Sequence, residues 1–414
     1  MLIVHKKFLA EKVLNMKRQD FIHKVDQYLI DPENIKLQTQ KNNKVNRQVD
    51  LAKTFFDKYE LAIQRSSYLK NKSLENTDKL LANFEFDLNN TKVKVIWATD
   101  TSDALQEIAN ISKQQNLPVY FDHSQIINEL DKDFQSAKFN INKATDFSER
   151  FIALSKADFI VADSSSIVCL NHEKTTKQIQ GNAIAQIFVC GIDAVIQSFN
   201  DLELIAALQS TNKYGEPIHA NINIYNGNKL NEDDALKEDL YVILLDNGRS
   251  QILADHEQRS LLNCIHCNAC TRSCPVALFS GEKAYGTVYT GPYGALVSQH
   301  IEQNDDLAHL AFASTLCSKC NEVCPMNIDI SSFLAYSRRN AVKNKIVSKT
   351  ENLTIYFWKN AVMKRSNMDK GGAKVKGFMF KQILRKAWGN KREMPAVATK
   401  SFNQMWRERK DLAG

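Results

Sequence analysis

Seven of the nine cysteines fall within 61 residues: Cys264, Cys267, Cys270, Cys274, Cys317, Cys320 and Cys324. The first four form the run Cys264-Ile-His-Cys267-Asn-Ala-Cys270-Thr-Arg-Ser-Cys274-Pro275. Three thiolates at three-residue spacing can wrap one corner of an iron–sulfur cubane, while the fourth points away to a neighbouring cluster. The proline after it turns the chain elsewhere. Structural zinc is the competing chemistry, but zinc sites generally use two separated CxxC pairs rather than a compact run closed by proline.

The second run is Cys317-Ser-Lys-Cys320-Asn-Glu-Val-Cys324-Pro325. Counting back from Cys324, a complete run would place a cysteine at position 314, where the chain has Ser314. Crosswise ligation assigns Cys264, Cys267, Cys270 and Cys324 to one cluster, and Cys274, Cys317 and Cys320 to the other. The first is expected as [4Fe–4S]. The second is expected as [3Fe–4S], or as [4Fe–4S] with a fourth ligand from Ser314, water, substrate or a partner. Thr271, Ser273, Asn268, Ser318 and Asn321 are candidate donors to the sulfurs, although each is individually explained as a turn residue. His266 is expected to pack or to modulate charge rather than to ligate. Cys169 and Cys190 lie in apolar strand patterns and read as buried inert thiols.

These motifs need elements to hold them. Residues 1–90 read as helical, with apolar residues at three- and four-residue spacing from Val49 to Ile63. The polar stretch Leu37 to Arg47 reads as a loop or frayed helix. From 91 to 248 short apolar strands alternate with amphipathic helices, an α/β layer structure. Its strands are expected at Val93–Ala98, Leu117–Phe121, Phe159–Ala162, Ile167–Leu170, Ile187–Cys190, Ile222–Tyr225 and Tyr241–Leu245. A helix capped by Thr99 to Ala104 follows the first. The region has neither a GxGxxG nor a Walker A pattern, and Gly191 and Gly227 read as ordinary turn residues. Asp246-Asn-Gly-Arg-Ser250 marks a turn and a boundary. Residues 249–345 carry the cysteines between helices at Asp255–Leu262, Leu307–Ala313 and Ile330–Ala341. The 42 residues between Cys274 and Cys317 have helical flanks, so a helical ferredoxin domain is expected. Gly281–Gly294 reads as an ordered loop over the cluster region. In the tail, 346–414, Leu353–Trp358 is apolar enough to pack back, Gly371–Lys374 reads as a linker, and Phe402 with Trp406 would anchor a short last helix.

Composition bounds the rest. With 414 residues and 43% apolar content, two or three domains with a substantial core are expected. No run of 18 apolar residues occurs, and the N-terminal apolar run is too short for a secretory signal; a cytoplasmic protein, peripheral to a membrane at most, is expected. The net charge of +7 is concentrated at one end: from Arg338 to Gly414, 20 Lys or Arg face 5 Asp or Glu. Such a tail suits an acidic partner or an anionic membrane surface. No nucleic-acid module accompanies it.

The chain resembles the iron–sulfur subunit of bacterial lactate utilisation, the lactate-utilisation protein B family. The likeness lies in Val242–Ser250, in Ala284-Tyr-Gly-Thr-Val-Tyr-Thr-Gly-Pro-Tyr-Gly-Ala-Leu296, and in Phe312-Ala-Ser-Thr-Leu-Cys317 through Cys324-Pro325, serine at 314 included. Ala157–Val168 and Lys400–Trp406 extend it. The resemblance implies an α/β domain of the NagB/RpiA/CoA-transferase group ahead of a helical two-cluster ferredoxin domain. It implies electron transfer in a complex oxidising L-lactate to pyruvate, with a cysteine-rich partner and a cluster-free α/β partner. The chain departs from the family between Tyr120 and Phe159, which is short, and at Asn171-His-Glu-Lys174.

Overall fold

The apolar runs between Val93 and Leu245 assemble into two sheets in the computed structural model of the chain. It describes residues 18–29, 32–89, 91, 93–121, 124–134, 141–143, 150–171, 180, 182–219, 221–226, 239–344, 346, 349–363, 372–375, 377–378, 382 and 396–411. Gly227, Gly371 and the stretch from His172 to Lys174 lie outside the described residues. Met1–Ile346 forms one compact unit and Val347–Gly414 a second. Among the described residues no helix is long and apolar enough to cross a membrane.

The strands are β1 (Val93–Ala98), β2 (Val119–Phe121), β3 (Ile141–Lys143), β4 (Ile152–Lys156), β5 (Phe159–Val161), β6 (Ser166–Asn171), β7 (Ala185–Gly191), β8 (Val195–Ile196), β9 (Asn221–Asn226) and β10 (Asp239–Leu245). Six form a parallel sheet in the order β1-β10-β7-β4-β2-β3; β8-β5-β6-β9 form a smaller mixed sheet. A parallel sheet covered on both faces needs strands apolar at every position, and every residue of β7 is buried. One face packs Leu105, Ile108, Ile127 and Leu130 from the helices Thr101–Gln115 and Gln125–Phe134. The other packs Leu81, Phe84 and Leu88 with Ile160, Ile167 and Cys169 of the second sheet. The expected cap is present: Asp100 accepts from the Asp103 N–H at 3.0 Å. Cys169 and Cys190 are fully buried in this core, and burial pushes the Cys190 thiol up to about 12.

Several local expectations change. The helix read across Val49–Ile63 is two helices, Pro32–Lys53 and Tyr59–Glu75, parted by a turn at 54–58. The polar stretch Leu37–Arg47 is helical throughout, because its polarity has partners. Asn42 is buried and donates to the carbonyl of Arg272 at 3.2 Å, where no local pattern signals a contact 230 residues away. The single helix expected over Asp255–Leu262 is instead a turn at 255–258 followed by the 3-10 helix Arg259–Asn263, after the short helix Arg249–Ala254. Gly281–Gly294 is only partly a loop, since a 3-10 turn at Glu282–Tyr285 and the helix Gly291–Ile301 occupy much of it. Gly191 is more than a turn residue. A Cβ there would collide with the Asp193 carboxylate and the Arg249 guanidinium.

In the second unit, Lys349–Met363 and Phe402–Asp411 are helical. Leu353, Ile355, Tyr356, Phe357 and Trp358 stand more than half exposed. Phe402 and Trp406 stack with ring centroids 5.9 Å apart.

Candidate iron–sulfur centre

Both cysteine runs fold into the same loop. In the first, His266 and Asn268 flank Cys267 with φ of 51° and 58°; in the second, Leu316 and Ser318 flank Cys317 with φ of 54° and 62°. Left-handed residues on both sides of the middle cysteine coil the backbone so that its N–H groups turn inward, a concavity that favours anionic sulfur. Each loop runs into a short helix, Ala269–Ser273 or Lys319–Glu322. Pro275 then opens the helix Pro275–Ser280, where a missing N–H costs nothing.

The correspondence extends to position 314. The His266 N–H donates to Cys264 Sγ at 3.4 Å, and the Leu316 N–H donates to Ser314 Oγ at 3.1 Å. The serine hydroxyl therefore stands in its loop where a cysteine sulfur stands in the other. Arg338 holds the position from behind, donating to the carbonyls of Ala311 at 2.8 Å and Ser314 at 2.6 Å.

The thiols fall into two neighbourhoods that cross between the runs. Burial pushes Cys264 well up, and Cys270, Cys267 and Cys324 add to the rise. Cys270 is pushed to about 12 by burial, then by Cys267 and Cys324. Cys324 reaches about 12 through burial and Cys267, with Cys320 a lesser neighbour. Cys320 rises to about 11 through burial, Cys274 and Cys317, and Cys274 rises through burial with Cys317 as its charged neighbour. Cys317 is exposed and lowered by the Lys319 N–H and the Thr315 hydroxyl.

This donor set fits an iron–sulfur cluster better than bare thiols. Crowded, desolvated thiolates repel one another unless cations sit between them. Cys264, Cys267, Cys270 and Cys324 line one pocket, walled by Ile265, Tyr293, Met326 and Ile328. Among the described residues no three His, Cys, Asp or Glu side chains close up on a single-ion site; the cysteines ring a space instead. N–H donors reach the sulfurs, as from Ile328 to Cys324 at 3.4 Å.

The candidate donors divide. Asn321 touches a sulfur, accepting from the Cys320 thiol at 3.6 Å, and is held by Asp329 and Ser331. Thr271 lies 4.0 Å from Cys270 Sγ and packs on Gly291, whose φ of +70° and lack of a Cβ leave room for it. Ser318 bonds Ser331, and Asn268 and Ser273 are positions at the ends of the first short helix. The His266 ring lies 5.3 Å from Tyr289 and 5.6 Å from Tyr293, and burial lowers it to about 4, so it is neutral.

One group escaped the sequence reading. Arg249, at the turn after β10, is buried and bonds Glu129 through both terminal nitrogens at 2.6 and 3.2 Å and Asp193 through Nε at 2.9 Å. Glu129 also accepts from the Tyr289 hydroxyl at 2.6 Å and from Asn247 at 2.8 Å. Tyr289 packs on His266, so this clamp ties the parallel sheet to the first cysteine loop. Its bonded partners lie 40 to 160 residues apart, and only the turn signal at Asp246–Ser250 hinted at it.

Residues 260–328 match the family model described as a 4Fe-4S dicluster domain. A lactate utilization protein B of Bacillus subtilis (strain 168) is 32% identical over 199 residues, which are 48% of this chain and 41% of that protein. One from Oceanobacillus iheyensis is 28% identical over 285 residues, 64% of this chain and 57% of that protein, and one from Shouchella clausii is 27% identical over 275 residues. Over the matched stretch the chain is similar to these lactate utilization proteins B. It spans about two fifths to three fifths of the length of these relatives. No solved structure matches it. The dicluster match supports two clusters of the 4Fe–4S type.

Proposed function

We propose that the chain is the electron-carrying iron–sulfur subunit of a cytoplasmic complex that oxidises L-lactate to pyruvate. Cys264, Cys267, Cys270 and Cys324 hold one [4Fe–4S] cluster. Cys274, Cys317 and Cys320 hold the second, with Ser314 at its fourth corner. The observation that carries this reading is the matched pair of loops, with crossing sulfur neighbourhoods and a hydroxyl where the eighth sulfur would be. Bound clusters supply one-electron transfer at potentials tuned by hydrogen bonds to sulfur and by solvent exposure. The protein's own contribution is a dry pocket around the first set and N–H donors to the thiolates. Lactate oxidation releases two electrons, a count that two one-electron centres match.

Exposure supports a dependent subunit. Cys317 is open to solvent, with Phe312 and Leu316 exposed in the same segment. This edge suits a docked redox partner: a cysteine-rich subunit and a cluster-free α/β subunit complete the proposed complex. The α/β region is read as a NagB/RpiA/CoA-transferase-like domain, and the basic tail as a dock for an acidic partner or membrane surface. The partial coverage of the relatives favours a second reading, in which the same electron carrier serves another substrate.

Anaerobic purification with iron analysis tests the ligand set. Seven or eight irons per chain are expected, and Cys324→Ser should deplete the cluster of Cys264, Cys267 and Cys270. Iron near four, stoichiometric zinc, or loss of the Cys317 cluster instead would overturn the assignment. Reduction by L-lactate in the reconstituted complex separates the two substrate readings.

A further inference from the structure

A cavity of about 280 Å³ opens at the carboxyl ends of β4 and β7, bounded by Lys156, Gly191 and the start of the helix Gln125–Phe134. In parallel α/β sheets this edge is where ligands bind. Its opposite wall is the first cysteine loop, with Cys264, His266 and Asn268. The first cluster pocket shares that wall.

The lining is built for an anion. Lys70, Lys156, Lys213 and Arg249 face it, against the carboxylates Asp158 and Asp193. Lys156 bonds Asp158 at 2.6 Å, and Arg249 is held by Glu129 and Asp193. Lys70 differs. It is 1% exposed, and its described hydrogen bonds run to the main-chain carbonyls of Asp193 and Val195. An ammonium has three donors, and these carbonyls take two. The N-terminus of the helix Gln125–Phe134 adds its partial positive charge.

A second observation specifies more than charge. Gln209 is 3% exposed and lines the cavity. Its amide nitrogen donates to the Ile265 carbonyl at 2.8 Å, and its Oε1 is buried with no hydrogen-bond partner among the described residues. A buried acceptor left unpaired is costly, and a ligand hydroxyl would satisfy it. At about 30 Å³ per water, the cavity exceeds one or two waters and suits a compact organic molecule.

We infer that this cavity binds a small organic acid carrying a hydroxyl, with its carboxylate toward Lys70 and Lys213 and its hydroxyl donating to Gln209. Such a site gives the chain a ligand of its own beside the first cysteine loop, beyond carrying electrons between partners. It rests on the iron–sulfur reading only for what lies behind that wall.

Isothermal titration of the full, cluster-loaded chain tests it, with L-malate and L-lactate as probes, succinate and propionate as their hydroxyl-free analogues, and inorganic phosphate as control. A hydroxy acid should bind saturably with Kd below about 1 mM, more tightly than its analogue and than phosphate. Lys213→Glu should weaken binding at least about tenfold, as like charge opposes the anion; Lys213→Gln serves if the reversal destabilises the fold. Gln209→Met should erase the preference for the hydroxyl while carboxylate binding persists. Absence of saturable binding, indifference to both Lys213 variants, or equal affinity for phosphate would overturn the inference. Iron counted on the same sample keeps that outcome separate from failure of the electron-carrier reading.

Discussion

Replacing Arg249 by methionine removes the cation from the clamp while keeping most of the side chain's volume. Glu129 and Asp193 are then left as carboxylates whose side chains are 1% and 9% exposed. Truncating one partner of a buried pair typically costs about 3–5 kcal/mol, because the remaining charge stays buried and uncompensated. Glu129 keeps its bonds from Tyr289 and Asn247, which places the expected loss near the lower end, about 3 kcal/mol. The unit that holds the clamp spans Met1–Ile346. At roughly 2 cal/mol/K per residue its unfolding entropy is about 0.7 kcal/mol/K, so the melting midpoint should fall by about 4–5 °C. Anaerobic urea unfolding, followed by cluster absorbance and circular dichroism together, measures the free-energy cost, and thermal unfolding the midpoint. The double variant Arg249→Met with Glu129→Leu should recover part of the loss, since it removes one of the two stranded charges. A cost below about 1 kcal/mol for the single variant, or a strictly additive double variant, would refute the view that the pair is buried and coupled.

Three further outcomes are expected. A serine hydroxyl is a poorer iron ligand than a thiolate, so Ser314→Cys should convert the second cluster to a stable four-iron form and shift its potential; if the native protein already has two oxidation-resistant [4Fe–4S] clusters by electron paramagnetic resonance, the reading of Ser314 as a weak fourth ligand fails. Burial pushes the Asp158 carboxyl up, but Lys156, Lys213 and the hydrogen bonds from Lys156 and the Leu170 N–H outweigh it, and the net position is below the ordinary carboxylate range. With the folded value below the unfolded one, Asp158 stabilises fully above pH about 4 and loses this contribution as pH falls through the folded value. The stability gap between wild type and Asp158→Asn should therefore narrow on acidification below about pH 4, and a gap that widens there would reverse the sign. Deleting residues 371–414 should weaken capture of partner subunits at low ionic strength and matter less as salt rises; a pull-down indifferent to salt and to the deletion would remove the docking role of the tail.

Much of the chemistry was legible in the chain because it is local. A cysteine run closed by proline, a serine ten residues ahead of Cys324, and apolar strand runs such as Ala185–Gly191 all act through neighbours a few residues away, and periodicity and spacing report such neighbours directly. The strand positions from β1 to β10, apart from β3, β4 and β8, and the cap at Asp100 follow from the same short-range rules. What depended on tertiary structure joins residues far apart in the chain. The helical state of Leu37–Arg47 rests on Asn42 reaching Arg272; the need for glycine at 191 comes from Asp193 and Arg249 packing over it. The Arg249 clamp and the cavity beneath the first cysteine loop bring together side chains from the helices, the sheet and the motif. Their charges are tolerable only when folding desolvates them together, so no segment alone carries the signal. The residue types that can ligate iron are written in order along the chain, whereas the pocket beside them exists only once the parallel sheet has brought its strand ends against the loop.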